Sequence, residues 1–114
     1  MKYRPYHSIA LVLAVVLNRS SSTRIRISEK TFKRISGRST LRDALITNVK
    51  ALLEDYGAMM FRLDRGGFAI VAISAFEGAP SATLRSTFPE WNSTSDQAMA
   101  EELGLEDADE YDDE

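Results

Sequence analysis

At 114 residues, 44% of them apolar, the chain holds enough to build one core and too little for two domains of ordinary size. It contains no cysteine, which excludes disulfides, thiolate nucleophiles and cysteine zinc sites together and suits a reducing, cytoplasmic compartment. The net charge of −3 conceals a segregation: residues 1–97 carry fourteen basic and eight acidic side chains, a net of +6, whereas residues 98–114 carry nine acids and no base.

Lys2 and Arg4 precede the apolar run Ile9–Leu17, with Ser20 and Ser22 beyond it, a pattern shared with secretory signals. Secretion would also bring two glycosylation sequons into play, Asn18-Arg19-Ser20 and Asn92-Ser93-Thr94. The nine-residue run is too short to span a bilayer, which takes about 20 residues, and it flows without a break into the elements that follow. A retained, cytoplasmic chain with no membrane span is therefore expected.

Pro5 marks a helix start, and Tyr6–Leu17 reads as a buried first helix. Residues 18–22 form a polar linker, and Thr23–Ser28 alternates polar and apolar residues with the period of a strand. Ser28 is a good N-cap for a short helix, Glu29–Ser36, with Phe32 and Ile35 on one face and Gly37 as its stop. A longer helix follows, capped by Ser39 and ended by Gly57. Its expected apolar stripe is Leu41, Ala44, Leu45, Val49, Leu52 and Tyr56, with Asn48 projecting onto the stripe and Ile46 and Leu53 at its flank. Ala58–Leu63 and Phe68–Ile73 read as two strands around a tight turn, Asp64-Arg65-Gly66-Gly67. Leu84, Phe88 and Trp91 are expected to pack inward, Gln97–Leu103 to form one or two helical turns, and the residues beyond Gly104 to be disordered.

The order helix, strand, short helix, long helix, strand, turn, strand resembles a winged helix-turn-helix domain over roughly Tyr6 to Ala75. The resemblance lies in layout and punctuation. It makes Ser28–Gly37 the first helix of the turn motif, Ser39–Tyr56 the recognition helix and Asp64–Gly67 the wing tip. The expected fold is thus α+β: a winged-helix-like domain at 1–78, an extension at 79–103 packing on it, and an acidic tail at 104–114.

In such a motif the leading residues of the second helix meet base edges, here Ser39, Thr40, Arg42, Asp43, Ile46 and Thr47. Arg42 suits guanine, Thr47 a hydroxyl contact and Ile46 a thymine methyl, while Asp43 counts against phosphates nearby. Lys50 lies further along the same helix. Phosphate contact needs a local excess of cations, and Arg24, Arg26, Lys30, Lys33, Arg34, Arg38 and Arg42 fall within nineteen positions whose one acid is Glu29. Arg65 at the wing tip, beside Gly66 and Gly67, suits a minor groove.

The partner implied is duplex DNA, with RNA left open and a homodimer expected from the small footprint of one module. The alternative is a protein-docking module, or an inhibitor from a mobile element, that uses the same scaffold and the acidic tail to bind a nucleic-acid-processing enzyme. The tail admits three roles: a solubilising segment, an intramolecular mimic of DNA, or a docking segment with Met99, Leu103 and Tyr111 as anchors. Its acids lack the spacing and central glycine of a calcium loop.

Catalysis is not expected. His7 is the one histidine, no Gly-x-Ser-x-Gly elbow or phosphate-binding glycine loop occurs, and adjacent Glu54 and Asp55 diverge on their helix. Neither a metal nor a cofactor is implied.

Overall fold

The computed structural model describes residues 3–105. The described chain is mixed α+β and divides into two compact units, one through Ala79 and one from Pro80 onward. The first contains α1 (Tyr6–Arg19), β1 (Arg24–Ile27), α2 (Glu29–Ser36), α3 (Asp43–Asp55), β2 (Ala58–Arg62), β3 (Phe68–Ala72) and the single turn α4 (Ser74–Glu77). Its strands form one antiparallel sheet in the order β1-β3-β2.

Strand alternation sets the layers. Ile25, Ile70 and Met60 are cross-strand neighbours, as are Ile27 and Phe68, so one face of the sheet is apolar. That face joins Ile9, Ala10, Leu13 and Leu17 of α1, Phe32 of α2 and Leu45, Val49 and Leu53 of α3 in a single core. The rings of Phe32 and Phe68 meet at 4.8 Å with a 39° tilt, tying α2 to the central strand. Burial of a side chain as large as Phe32 contributes roughly 1.5–3 kcal/mol.

The sequence expectations need four corrections here. α1 is buried along one face only; Leu11, Val15 and Val16 on its other face are exposed, because α3 and the sheet cover a single side. α3 starts at Asp43, not after a Ser39 cap: Arg42 is its N-cap residue, with extended backbone and no side-chain cap. Leu41 packs against the core just before it, after a bend at Ser39 and Thr40. The stripe is accordingly Leu45-Val49-Leu53, with Leu53 fully buried rather than flanking, whereas Ala44, Asn48 and Tyr56 are exposed. Asn48 still bonds nearby backbone, its Nδ2 donating to Ala44 O at 2.7 Å, but at the surface and not in the core.

The second unit contains α5 (Leu84–Thr87), a 3-10 turn at Trp91–Ser93 and α6 (Asp96–Glu102). Thr83 Oγ1 and Ser95 Oγ cap the two helices by accepting from Ser86 N and Ala98 N. Leu84 and Trp91, expected to pack inward, are exposed, while Phe88 is half-buried. The acidic tail expected at 104–114 lies outside the described residues from Glu106 onward. Among the described residues, no helix is long and apolar enough to cross a membrane.

Candidate nucleic-acid interface

The basic residues of the first unit are held by three adjoining pieces of structure. β1 places Arg24 and Arg26 on the sheet face opposite the core, since Ile25 and Ile27 take the inner positions and both arginines are exposed. Ser28 then turns the chain into α2, its Oγ accepting from Thr31 N at 3.1 Å. With Phe32 and Ser36 buried, Lys30 and Arg34 share the exposed side of α2, and Lys33 is half-buried at the flank.

α2 ends as its sequence signals, with Gly37 in the left-handed region at φ 74° and its N–H on Lys33 O. The last two carbonyls of the helix, Ile35 O and Ser36 O, are taken by arginines. Arg4 Nε donates to Ile35 O at 3.2 Å, Arg4 N to Ser36 O at 3.0 Å, and Arg38 Nη1 to Ser36 O and Arg4 O at 3.2 and 3.0 Å. The Arg38 guanidinium also lies over the rings of Tyr3 and Tyr6, at 4.7 and 5.6 Å. Of the seven cations between positions 24 and 42, Arg38 is therefore the one committed to holding the chain together.

Ser39, Thr40 and Arg42 are exposed in the link before α3, and they line a groove with Tyr3, Tyr6 and Leu45. Along α3, Thr47 and Ala51 point furthest from the buried stripe, flanked by Ala44 and Glu54, with exposed Asp43, Asp55 and Asn48 further round. Ile46 packs against the core instead, and Lys50 is half-buried with its ammonium 5.8 Å from the centre of the Phe61 ring. The outward face is thus Ala44, Thr47, Ala51 and Glu54, with Asp43, Asp55 and Asn48 at its borders. Phasing the helix on Leu45, Val49 and Leu53 at intervals of four would have exposed it in the sequence.

The β2–β3 turn is closed by Gly66 N donating to Leu63 O at 3.0 Å and Leu63 N to Gly67 O at 2.9 Å. Gly67 has φ 83°, and a Cβ there would sit 2.7 Å from Ile27 O, so glycine is what allows the hairpin tip to press on the end of β1. The contact fixes a shallow cleft lined by Arg26, Ser28, Glu29, Arg65, Gly66 and Gly67, with Arg65 exposed at its rim.

Glu29, the one acid amid these cations, is paired at 3.8 Å with Arg62, outside the run. Among the described residues no other ion pair occurs, so Arg24, Arg26, Lys30, Lys33, Arg34, Arg42 and Arg65 have no carboxylate partner there. Cations without carboxylate partners are the kind that release counterions on meeting phosphates. No protein-family model, curated protein or solved structure matches this chain.

Proposed function

We propose that the first unit is a winged helix-turn-helix module that binds duplex DNA, as a cytoplasmic regulatory or accessory factor without catalytic activity. The observation that carries this reading is the set of unpaired cations on β1, α2, the link to α3 and the hairpin tip. The helix, strand, helix, helix, hairpin order and the sheet order β1-β3-β2 support it, since they put the second helix of the motif and the hairpin in consecutive positions. In this reading α3 presents Ala44, Thr47 and Ala51 to base edges, with Asn48 at the border, where Asn suits adenine and Ala a thymine methyl; Asp43 and Glu54 share that face and suit a cytosine amine rather than phosphates. Arg42, Lys30, Arg34 and Arg65 hold the backbone on either side.

The test is a salt titration of binding to random-sequence duplex by fluorescence anisotropy. A steep negative slope of log affinity against log salt is expected, and Arg34→Glu with Arg42→Glu should abolish it. Binding that ignores salt would overturn the proposal.

A protein partner is the second reading, favoured by the exposed Leu11, Val15 and Val16 on one face of α1. A second copy of the chain across that face would give the homodimer expected for a duplex-binding module. Light scattering of the wild type and Val15→Glu checks this: loss of a dimer in the variant supports it, and a monomeric wild type at working concentration refutes it.

A further inference from the structure

The sheet has a second face, and it is not simply solvated. Alternation and register place two rows on it: Arg26, Ala69 and Phe61 across the three strands, and Arg24, Val71 and Met59 beside them. The central strand contributes the short side chains, Ala69 and Val71, between longer ones on β1 and β2. The result is a trough with guanidinium groups along one wall and Phe61 and Met59 along the other. Phe61 is 39% exposed, a large fraction for a phenylalanine in a strand. Lys50 reaches its ring from α3. The six positions of the two rows include no acid.

We infer that this face binds single-stranded nucleic acid, with one unpaired base stacked on Phe61 and the adjoining phosphates at Arg26 and Arg24. Three features lead to that ligand. A π-face is offered to solvent, and a base presents its own face only when unstacked, which a duplex does not allow. Cations line the opposite wall two strands away, about 10 Å between backbones, so a base and its backbone are met by different walls. The trough floor is shallow and apolar, which admits a flat ring and offers little to a charged one. Arg26 also lines the cleft under the hairpin tip, together with Arg65 and with Glu29, the carboxylate paired with Arg62, so this arginine is common to the cleft and the sheet face. This surface shares Arg24 and Arg26 with the cations of the duplex reading but is separate from the outward face of α3 and from Arg42.

The experiment measures binding of fluorescein-labelled oligo-dT, and of the same oligomer with abasic sites throughout, to the full chain at low salt. Phe61→Leu keeps apolar bulk but removes the ring plane, and should weaken oligo-dT binding roughly tenfold, the scale of one lost base stack, while leaving the abasic oligomer unaffected. Arg26→Gln should weaken both oligomers. Arg42→Glu, placed on the duplex surface, should spare oligo-dT, so failure here is distinguishable from failure of the duplex reading. Equal affinity of the wild type for the two oligomers, or a Phe61→Leu chain that melts like the wild type and binds oligo-dT as well, would overturn the inference. So would competitive displacement of oligo-dT by a glutamate–tyrosine copolymer with the same sensitivity to Phe61→Leu, which would mark the trough as a site for acidic peptides. Should Phe61→Leu not fold, Arg26→Gln still decides, since unchanged oligo-dT binding in that variant is equally fatal.

Discussion

Glu29 in the first turn of α2 and Arg62 at the end of β2 meet at 3.8 Å, both of them more than two-fifths exposed. The pair joins a helix to a strand, yet at that exposure it contributes only about 0–1 kcal/mol. Its larger consequence is electrostatic, because it places the one carboxylate of the basic segment against a cation from elsewhere. Glu29→Gln should leave the urea midpoint almost unmoved. It should also free Arg62 for phosphate, raising duplex affinity several-fold at low salt and steepening the salt slope by about 1. An unchanged slope in the anisotropy titration would show that this end of β2 lies off the binding surface.

Arg38 and Arg42 are four residues apart and should behave differently. Arg38 is held by two carbonyls and two tyrosine rings, whereas Arg42 is exposed and has no carboxylate partner among the described residues. Arg38→Ala should cost about 1–2 kcal/mol of stability and reduce DNA affinity little once the protein is folded. Arg42→Ala should do the reverse. Thermal melts set beside anisotropy measurements separate the two; parallel effects of both substitutions on binding would make Arg38 a contact as well.

Gly67→Ala should be among the most damaging single-atom additions to this chain. The new Cβ would meet backbone, Ile27 O at 2.7 Å, and the residue would remain at φ 83°, so nothing flexible can yield. A loss of about 1–3 kcal/mol is expected, together with displacement of Arg65 from the cleft it shares with Arg26. Gly66→Ala provides the control: its Cβ would meet nothing within 4 Å, leaving only the cost of φ 98°. Equal denaturation midpoints for the two variants would contradict the close approach of hairpin and β1.

How much of this could be read from the sequence depended on how local each signal was. α2 was legible to the residue, because Ser28 caps and Gly37 terminates it through bonds within a few positions. The hairpin strands were legible to within a residue, for the same reason at Gly66 and Gly67. The start of α3 was not: Ser39 is a good capping residue, but the chain bends there and at Thr40, Leu41 packs against the core, and the helix begins only after Arg42. The cap thus falls three residues beyond Ser39, and the stripe Leu45, Val49, Leu53 turns Ala44 and Ala51 outward and Ile46 inward, where Ala44 had been expected on the stripe and Ile46 at base edges. The role of Arg38 was likewise out of reach, since one of its acceptors, Arg4 O, lies 34 positions away. A uniformly apolar α1 gave no indication of which side its neighbours would cover.

The charge segregation leads to a final prediction that needs only net charge. Ending the chain after Gly104 removes Glu106, Asp107, Asp109, Glu110, Asp112, Asp113 and Glu114, seven acids, and takes the net charge from −3 to +4. A polyanion approaching the full chain meets a molecule of its own sign; approaching the shortened chain it does not, and association should be faster and tighter. The gain should be on the order of tenfold at 0.01 M salt, where the Debye length is about 30 Å, and should largely vanish at 1 M, where it is about 3 Å. A full-length chain with the same tail residues in shuffled order tells field from recognition. If the shuffled tail suppresses binding as strongly as the native one, its charge is sufficient. If only the native order suppresses binding, the tail is read as a sequence, and its apolar residues Leu105, Ala108 and Tyr111 become the next positions to substitute. Unchanged affinity on truncation at low salt would leave the acids with no part in nucleic-acid binding.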